Sequence, residues 1–169
     1  MNKIKLMDEE DNAFRLHAGF EEWIKAAGFD YSATLTYPQE YAPFGLVEAE
    51  RMAKKFVEIY NKRLGYGCNA RRNVKLDKTK GAKIAVINDY LSEGGKQVNF
   101  HHHLALAKPT DWNDADFIEV VNTSWKRCFY KRSGITLVEP ISGGWQRYLA
   151  SKLDVGDQLR FDVFNSNIY

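Results

Sequence analysis

Residues 83–107 read KIAVINDYLSEGGKQVNFHHHLALA, and this stretch is the strongest indication of the fold. KIAVINDYL and QVNFHHHLALA are rich in residues that favour strands, and SEGGK between them is typical of a turn. Two strands joined by so short a turn predict an antiparallel hairpin. Three of the chain's four histidines lie in the second strand, at positions 101–103.

The three adjacent histidines do not form one cluster, because side chains alternate between the two faces of a strand. His102 falls in the apolar row with Phe100 and Leu104, which predicts that it packs in the core. His101 and His103 fall in the other row and project together from the opposite face. Two imidazoles spaced in this way can ligate one metal ion through their neutral nitrogens.

A third metal ligand is expected from the neighbouring strand. Asp89 is the first candidate, because its parity is opposite to that of the apolar Ile84 and Val86, and Glu93 in the turn is the second. Two histidines and a carboxylate leave coordination positions open, which suits catalysis and accommodates Mn²⁺ or Mg²⁺ as well as zinc. The alternative is a polar sheet face without a metal, since an isolated H-x-H is common by chance.

The elements around the hairpin define the predicted order of the fold. A short helix over residues 19–27 precedes a strand over residues 30–37, and a helix with apolar residues at helical spacing follows over residues 46–64. Beyond the hairpin, a helix begins near Asn113, which can cap it, a strand covers GITLVEP, and a last helix lies in SGGWQRYLASKL.

This order predicts an α+β protein with the ferredoxin-like split β-α-β arrangement and an added C-terminal helix. The sheet is expected to be antiparallel with the helices on one face, which leaves the other face free for a site. A chain of 169 residues fits one domain, expected over residues 1–169 with its core at about residues 30–153.

Composition sets wide limits on the class of protein. A net charge of +2 permits a nucleic-acid partner without demanding one. Two cysteines outside any metal-like spacing favour a reduced, intracellular chain. The N-terminus turns acidic where a signal peptide would turn apolar, and no stretch approaches the ~20 apolar residues of a membrane span. We therefore expect a soluble, cytoplasmic protein with no membrane partner.

The last predicted helix combines a core stripe with a reactive pair. Trp145, Leu149 and Leu153 recur every four residues, and Tyr148 and Lys152 form the neighbouring stripe. A phenol, with a pKa of about 10, is a poor nucleophile at neutral pH, and a nearby metal or ammonium favours the phenolate. The same cations can neutralise charge on a phosphate under attack. The alternative is a half-buried tyrosine beside a solvated lysine.

Three motifs occur in one order: ATLTYP on the first strand, HHHLAL on the hairpin and YLASK on the last helix. Together they resemble the HUH endonuclease superfamily, and specifically its rolling-circle replication initiators. These initiators carry the histidine motif before the tyrosine, whereas conjugative relaxases usually carry the tyrosine first. The resemblance spans roughly residues 30–153.

The resemblance implies a role for each matching residue. His101 and His103 would hold a divalent metal ion, Mn²⁺ or Mg²⁺, with Asp89 in the place of the family's acidic ligand. Tyr148 would be the catalytic nucleophile and Lys152 its catalytic partner on the helix. The chain departs from the pattern at this lysine, because many initiators have Y-x-x-K where this sequence has Y-x-x-x-K.

The implied activity is metal-dependent nicking and joining of single-stranded DNA through a 5′-phosphotyrosine at Tyr148, which initiates rolling-circle replication of a small plasmid, phage or virus. The implied partner is single-stranded or hairpin origin DNA, in a prokaryotic host. Because the chain has no helicase-type phosphate loop, a separate helicase and polymerase are expected, or else a longer protein.

Contacts to DNA are harder to assign from sequence. Arg71, Arg72 and Lys75 lie in a basic irregular segment that can follow a phosphate backbone, although a solvated loop is an equal alternative. Thr34 and Thr36 share the open-face side of the first strand. Alternative functions are an HUH single-strand DNA transposase, a non-enzymatic nucleic-acid-binding module on the same fold and, more weakly, a zinc hydrolase.

Overall fold

A four-stranded antiparallel sheet with helices forms the described part of the chain. The computed structural model describes residues 2–38, 45–67, 77–89, 92–93, 96–97, 100–129, 134–153 and 160–168. Within these residues the α-helices are α1 (Asn2–Ala27), α2 (Leu46–Arg63), α3 (Asp114–Lys126) and α4 (Trp145–Ser151), and a short 3-10 helix covers Lys78–Lys80. The strands there are β1 (Tyr31–Thr36), β2 (Ile84–Asp89), β3 (Ser92–Glu93), β4 (Lys96–Gln97), β5 (His101–Leu106) and β6 (Thr136–Pro140).

The strand order confirms the predicted α+β class. The sheet runs β2-β5-β1-β6, and every neighbouring pair is antiparallel. β3 and β4 pair with each other between β2 and β5, so the predicted hairpin is present. This arrangement is compatible with a ferredoxin-like fold. Within the described residues, no helix is long and apolar enough to cross a membrane.

The first face of the sheet packs against α2 and α3. Ala33 and Leu35, the apolar row of β1, are buried here, together with the matching rows of β2 and β5. Trp125 of α3 is fully buried, and its Nε1 donates a hydrogen bond to the backbone oxygen of Thr36 at 2.8 Å. α3 begins where predicted, because the Asn113 side chain accepts a hydrogen bond from the Asp116 amide at 2.8 Å.

The second face of the sheet is not free, contrary to the expectation that all helices lie on one side. Helices α1 and α4 cover its β2–β5 half. The buried residues of this second cluster are Ile24, Ala85, Ile87, Ala105, Leu149 and Leu153. β2 is apolar at both parities, so both of its faces need cover. The helix expected over residues 19–27 is accordingly part of a longer one that starts at Asn2.

Residues 160–168, for which the sequence gives no predicted element, line the outer edge of β2. Isolated bridges join Ile84 to Asn167 and Ile87 to Phe161. The Asn167 amide donates to the Ile84 oxygen at 2.7 Å, and the Ile84 amide donates to the Asn167 oxygen at 2.9 Å. The segment therefore pairs backbone groups that an edge strand would otherwise expose.

We expect Gly134→Ala to destabilise the protein by about 1–3 kcal/mol, the usual cost of overpacking. A Cβ at this position would lie 1.9 Å from the Thr36 oxygen and 2.7 Å from Trp125 Nε1. β1 or the backbone before β6 must therefore shift. Gly143→Ala is the matched control, since a Cβ there meets no described atom within 4 Å. Equal urea midpoints for the two variants would contradict this prediction.

Candidate active site

The strand register places the two histidines of the predicted site beside a carboxylate. His101 lies directly opposite Asp89 on β2 and opposite Thr36 on β1. His103 lies two residues further along β5, opposite Thr34. All of these side chains belong to the second face, as their parity predicts.

Asp89, His101 and His103 can together hold a metal ion, because their ligand atoms all lie within 4.8 Å of one another. Asp89 Oδ2 is 3.3 Å from His101 Nε2 and 3.4 Å from His103 Nε2. Asp89 is fully buried, whereas His101 is partly exposed and leaves an approach from solvent. The side chain of Glu93, the other candidate ligand, lies outside the described part of the chain.

One buried oxygen supports the fit of a cation to this cluster. Among the described residues, no donor is aligned to hydrogen-bond Asp89 Oδ2, although nitrogens surround it. Oδ2 is paired by charge with the Lys152 ammonium at 3.2 Å, and a metal ion between Oδ2 and the two imidazoles would give this oxygen a direct ligand bond as well. Two imidazole nitrogens and a carboxylate oxygen are a donor set that divalent metals accept.

The electrostatics of the cluster favour an ionised Asp89 and a neutral His103, which are the protonation states that bind a metal ion. Burial acts to raise the pKa of Asp89, but the imidazoles of His101 and His103 outweigh it. With the ammonium of Lys152, they hold this pKa well below its usual range. Burial lowers the pKa of His103 in spite of the nearby carboxylate, which favours the neutral imidazole. Thr34 Oγ1 lies 3.3 Å from His103 Nδ1 and can fix the orientation of the ring.

Helix α4 brings Tyr148 and Lys152 over the cluster. The Tyr148 hydroxyl is 3.3 Å from His103 Nε2, and the residue is 45% exposed, so a substrate can reach it. Lys152 Nζ lies 3.2 Å from Asp89 Oδ2 and 5.3 Å from the centroid of the Tyr148 ring. The alternative of a solvated lysine is therefore wrong, because this ammonium is turned towards the buried carboxylate.

Helix α1 fixes the position of α4 on the sheet. Ile24 of α1 packs in the same buried cluster as Leu149 and Leu153, which confirms the predicted core stripe of the last helix. At the rim, Arg147 Nε lies 3.6 Å from a carboxylate oxygen of Glu21. The position of Tyr148 over the cluster therefore depends on a helix that the motifs do not include.

His102 points into the first face, as its parity predicts. Its Nδ1 lies 2.7 Å from Asn88 Oδ1, and its Nε2 accepts a hydrogen bond from the Tyr37 hydroxyl. Burial lowers the pKa of His102 to about 3, so the ring stays neutral at physiological pH. His102 is a core residue with both nitrogens paired, and it does not contribute to the cluster.

The predicted DNA contacts divide into two groups. Thr34 and Thr36 are partly buried and lie next to the histidines on the second face. Arg71, Arg72 and Lys75 lie outside the described residues.

Sequence reasoning missed Arg160. This residue is 3% exposed, and its guanidinium forms an ion pair with Asp89 Oδ1. No sequence pattern indicates this contact, because it depends on which strand edge the C-terminal segment joins.

Comparisons with known proteins leave the family open. No family model and no solved structure matches the chain. An orotate phosphoribosyltransferase of Cereibacter sphaeroides is 29% identical over 98 residues, which cover 58% of this chain. The match spans 38% of that enzyme's length, and it does not establish a family.

Proposed function

We propose that the protein nicks and rejoins single-stranded DNA through Tyr148, as the rolling-circle initiators that its motifs resemble do. One observation carries the proposal: the Tyr148 hydroxyl lies 3.3 Å from His103 Nε2. That same nitrogen is 3.4 Å from Asp89 Oδ2. A candidate nucleophile thus adjoins a group of residues that can hold a metal ion.

The proposed reaction is a transesterification with Tyr148 as the nucleophile. A divalent ion, Mn²⁺ or Mg²⁺, held by Asp89, His101 and His103 would offset negative charge on the scissile phosphate. The Tyr148 oxygen bonds to phosphorus as the bond from phosphorus to the 3′ oxygen breaks. The phenol loses a proton and the 3′ oxygen gains one, which leaves a 5′-phosphotyrosine and a free 3′-OH. The new ester conserves the bond energy, so rejoining by a 3′-OH requires no ATP.

Lys152 supplies a second positive charge to the proposed reaction. Its Nζ is close to both the Asp89 carboxylate and the Tyr148 ring. A fixed ammonium at this position can offset charge that develops on the phosphate oxygens. The spacing of four residues keeps Tyr148 and Lys152 on one side of α4, although many initiators use three.

The half of the second face over β1 and β6 provides room for a single strand. Thr34 is opposite Leu137 on β6, and Leu137 is 54% exposed beside Ile135, which is 75% exposed. Threonine hydroxyls can bind phosphate oxygens, and exposed apolar side chains can contact sugars and bases. Arg71, Arg72 and Lys75 complete the proposal as contacts to the DNA backbone.

In the cell, the 3′-OH would prime replication of a small plasmid, phage or virus, with a separate helicase and polymerase. A single-strand transposase is the alternative that uses the same chemistry. Cleavage at element ends, in place of a replication origin, would identify it. The partial similarity to an orotate phosphoribosyltransferase involves 38% of that enzyme and carries no second candidate function.

Oligonucleotides labelled at either the 5′ or the 3′ end test which side of the nick becomes joined to the protein. Hairpin-containing single strands with varied loops are incubated with the protein and Mn²⁺, with and without EDTA. We expect a 3′ label to appear in a covalent protein band and a 5′ label in a shorter free strand. Both products should disappear with EDTA. Binding without either product would favour a non-enzymatic module, and a 5′ label on the protein would contradict the proposed polarity.

A further inference from the structure

The C-terminal segment reaches the cluster by extending the sheet beyond β2. The Asn88 amide donates to the Arg160 oxygen at 2.9 Å, and the Asp162 amide donates to the Val86 oxygen at 2.9 Å. Asp162 Oδ2 also accepts a hydrogen bond from Asn88 Nδ2 at 3.2 Å. These contacts fix the segment at the end of β2 where Asp89 lies.

Arg160 and the histidines contact different oxygens of the same carboxylate. The guanidinium pairs with Asp89 Oδ1, while Oδ2 faces His101 and His103. The terminal torsion of an aspartate has broad minima, so the carboxylate alone has no strongly fixed orientation. A buried guanidinium is planar and rigid, and holding one oxygen also sets the direction of the other.

We propose that Arg160 is a positioning residue of the metal centre, and that the C-terminal segment is therefore part of the site. By anchoring Oδ1, Arg160 directs Oδ2 of Asp89 towards the two imidazoles. The inference rests on the proposed function only in requiring that Asp89, His101 and His103 bind a divalent ion. It does not depend on DNA cleavage.

Direct titration with Mn²⁺ tests the proposal without DNA. We expect Arg160→Met to weaken binding by about 10–100-fold, the usual effect of losing a residue that orients a metal ligand. Arg160→Lys should lose less, because it keeps the positive charge but not the planar, rigid guanidinium. The visible absorption of bound Co²⁺ supplies a second readout, since it reports the geometry and number of the ligands.

Two controls test whether the Mn²⁺ affinity depends on the guanidinium of Arg160 itself or on the packing around it. Arg127→Met removes an exposed arginine at the end of α3, on the other face of the sheet, and should leave the affinity unchanged. Ser166→Ala removes an acceptor that receives the Val86 amide at 2.9 Å, which weakens attachment of the segment while leaving Arg160 in place. It should change Mn²⁺ affinity much less than Arg160→Met does.

The outcomes distinguish this inference from the proposed function. A folded Arg160→Met protein with wild-type Mn²⁺ affinity and Co²⁺ spectrum overturns the inference. If that variant does not fold, wild-type values for Arg160→Lys overturn it. A wild-type protein that binds neither ion refutes both the metal centre and the inference. Metal binding that depends on Arg160 without DNA cleavage supports the inference and refutes the proposed function.

Discussion

The Tyr148→Phe protein is expected to bind single-stranded DNA normally and to form no covalent adduct with it. The substitution removes the oxygen that would bond to phosphorus and leaves the ring in place. Loss of a catalytic nucleophile lowers turnover by on the order of 10³-fold or more. Stability should change little, because Tyr148 is 45% exposed and, among the described residues, its hydroxyl contacts only His103.

The measurement is a denaturing gel with a 3′-labelled oligonucleotide and Mn²⁺, alongside fluorescence anisotropy for binding. Tyr66→Phe is the matched control, because Tyr66 packs against the core cluster of the first sheet face. That variant should form the adduct at the wild-type level. An adduct that persists in Tyr148→Phe would falsify the assignment of the nucleophile. Loss of DNA binding in the same variant would show that the hydroxyl serves recognition.

Asp89→Asn is expected to lower the free energy of unfolding and to abolish metal-dependent stabilisation. Asp89 is fully buried and pairs with Arg160 and with Lys152. Removing one partner of a buried ion pair costs about 3–5 kcal/mol, because the remaining charges stay desolvated. The asparagine also cannot supply the anionic oxygen that completes the ligand set.

Urea titrations with and without Mn²⁺ measure both effects. At a free concentration of 100 times the Kd, an ion that binds only the folded wild type adds about 2.7 kcal/mol. We expect this increment to be absent in Asp89→Asn and intact in Asp111→Asn, which changes an exposed aspartate. A metal-dependent increment of wild-type size in Asp89→Asn would show that Asp89 is not a ligand.

Strand alternation explains why much of the site could be predicted. The assignment of His101 and His103 to one face and His102 to the other follows from parity, and the structure confirms it. The same rule places Asp89 on the face of His101 and His103 once β2 and β5 form a hairpin. Periodicity likewise predicts the buried stripe of α4, and with it the side on which Tyr148 and Lys152 lie.

The cover on the second face was missed, although β2 contains a signal for it. Ala85 and Ile87 are apolar at the parity assigned to the open face. A strand that is apolar on both faces indicates that both are covered. The sequence does not identify the covering elements, because a helix with mixed polarity such as α1 can dock at several places.

The sequence by itself determined the local periodicities: the α+β element order, the face of each histidine and the pairing of Tyr148 with Lys152 on one helix. These properties follow from backbone geometry that repeats every two or every 3.6 residues. Only the tertiary structure decided that α1 holds α4 over the cluster and that Arg160 reaches Asp89. Those contacts join segments far apart in the chain, and their partners are selected by packing and by the edge left open on β2.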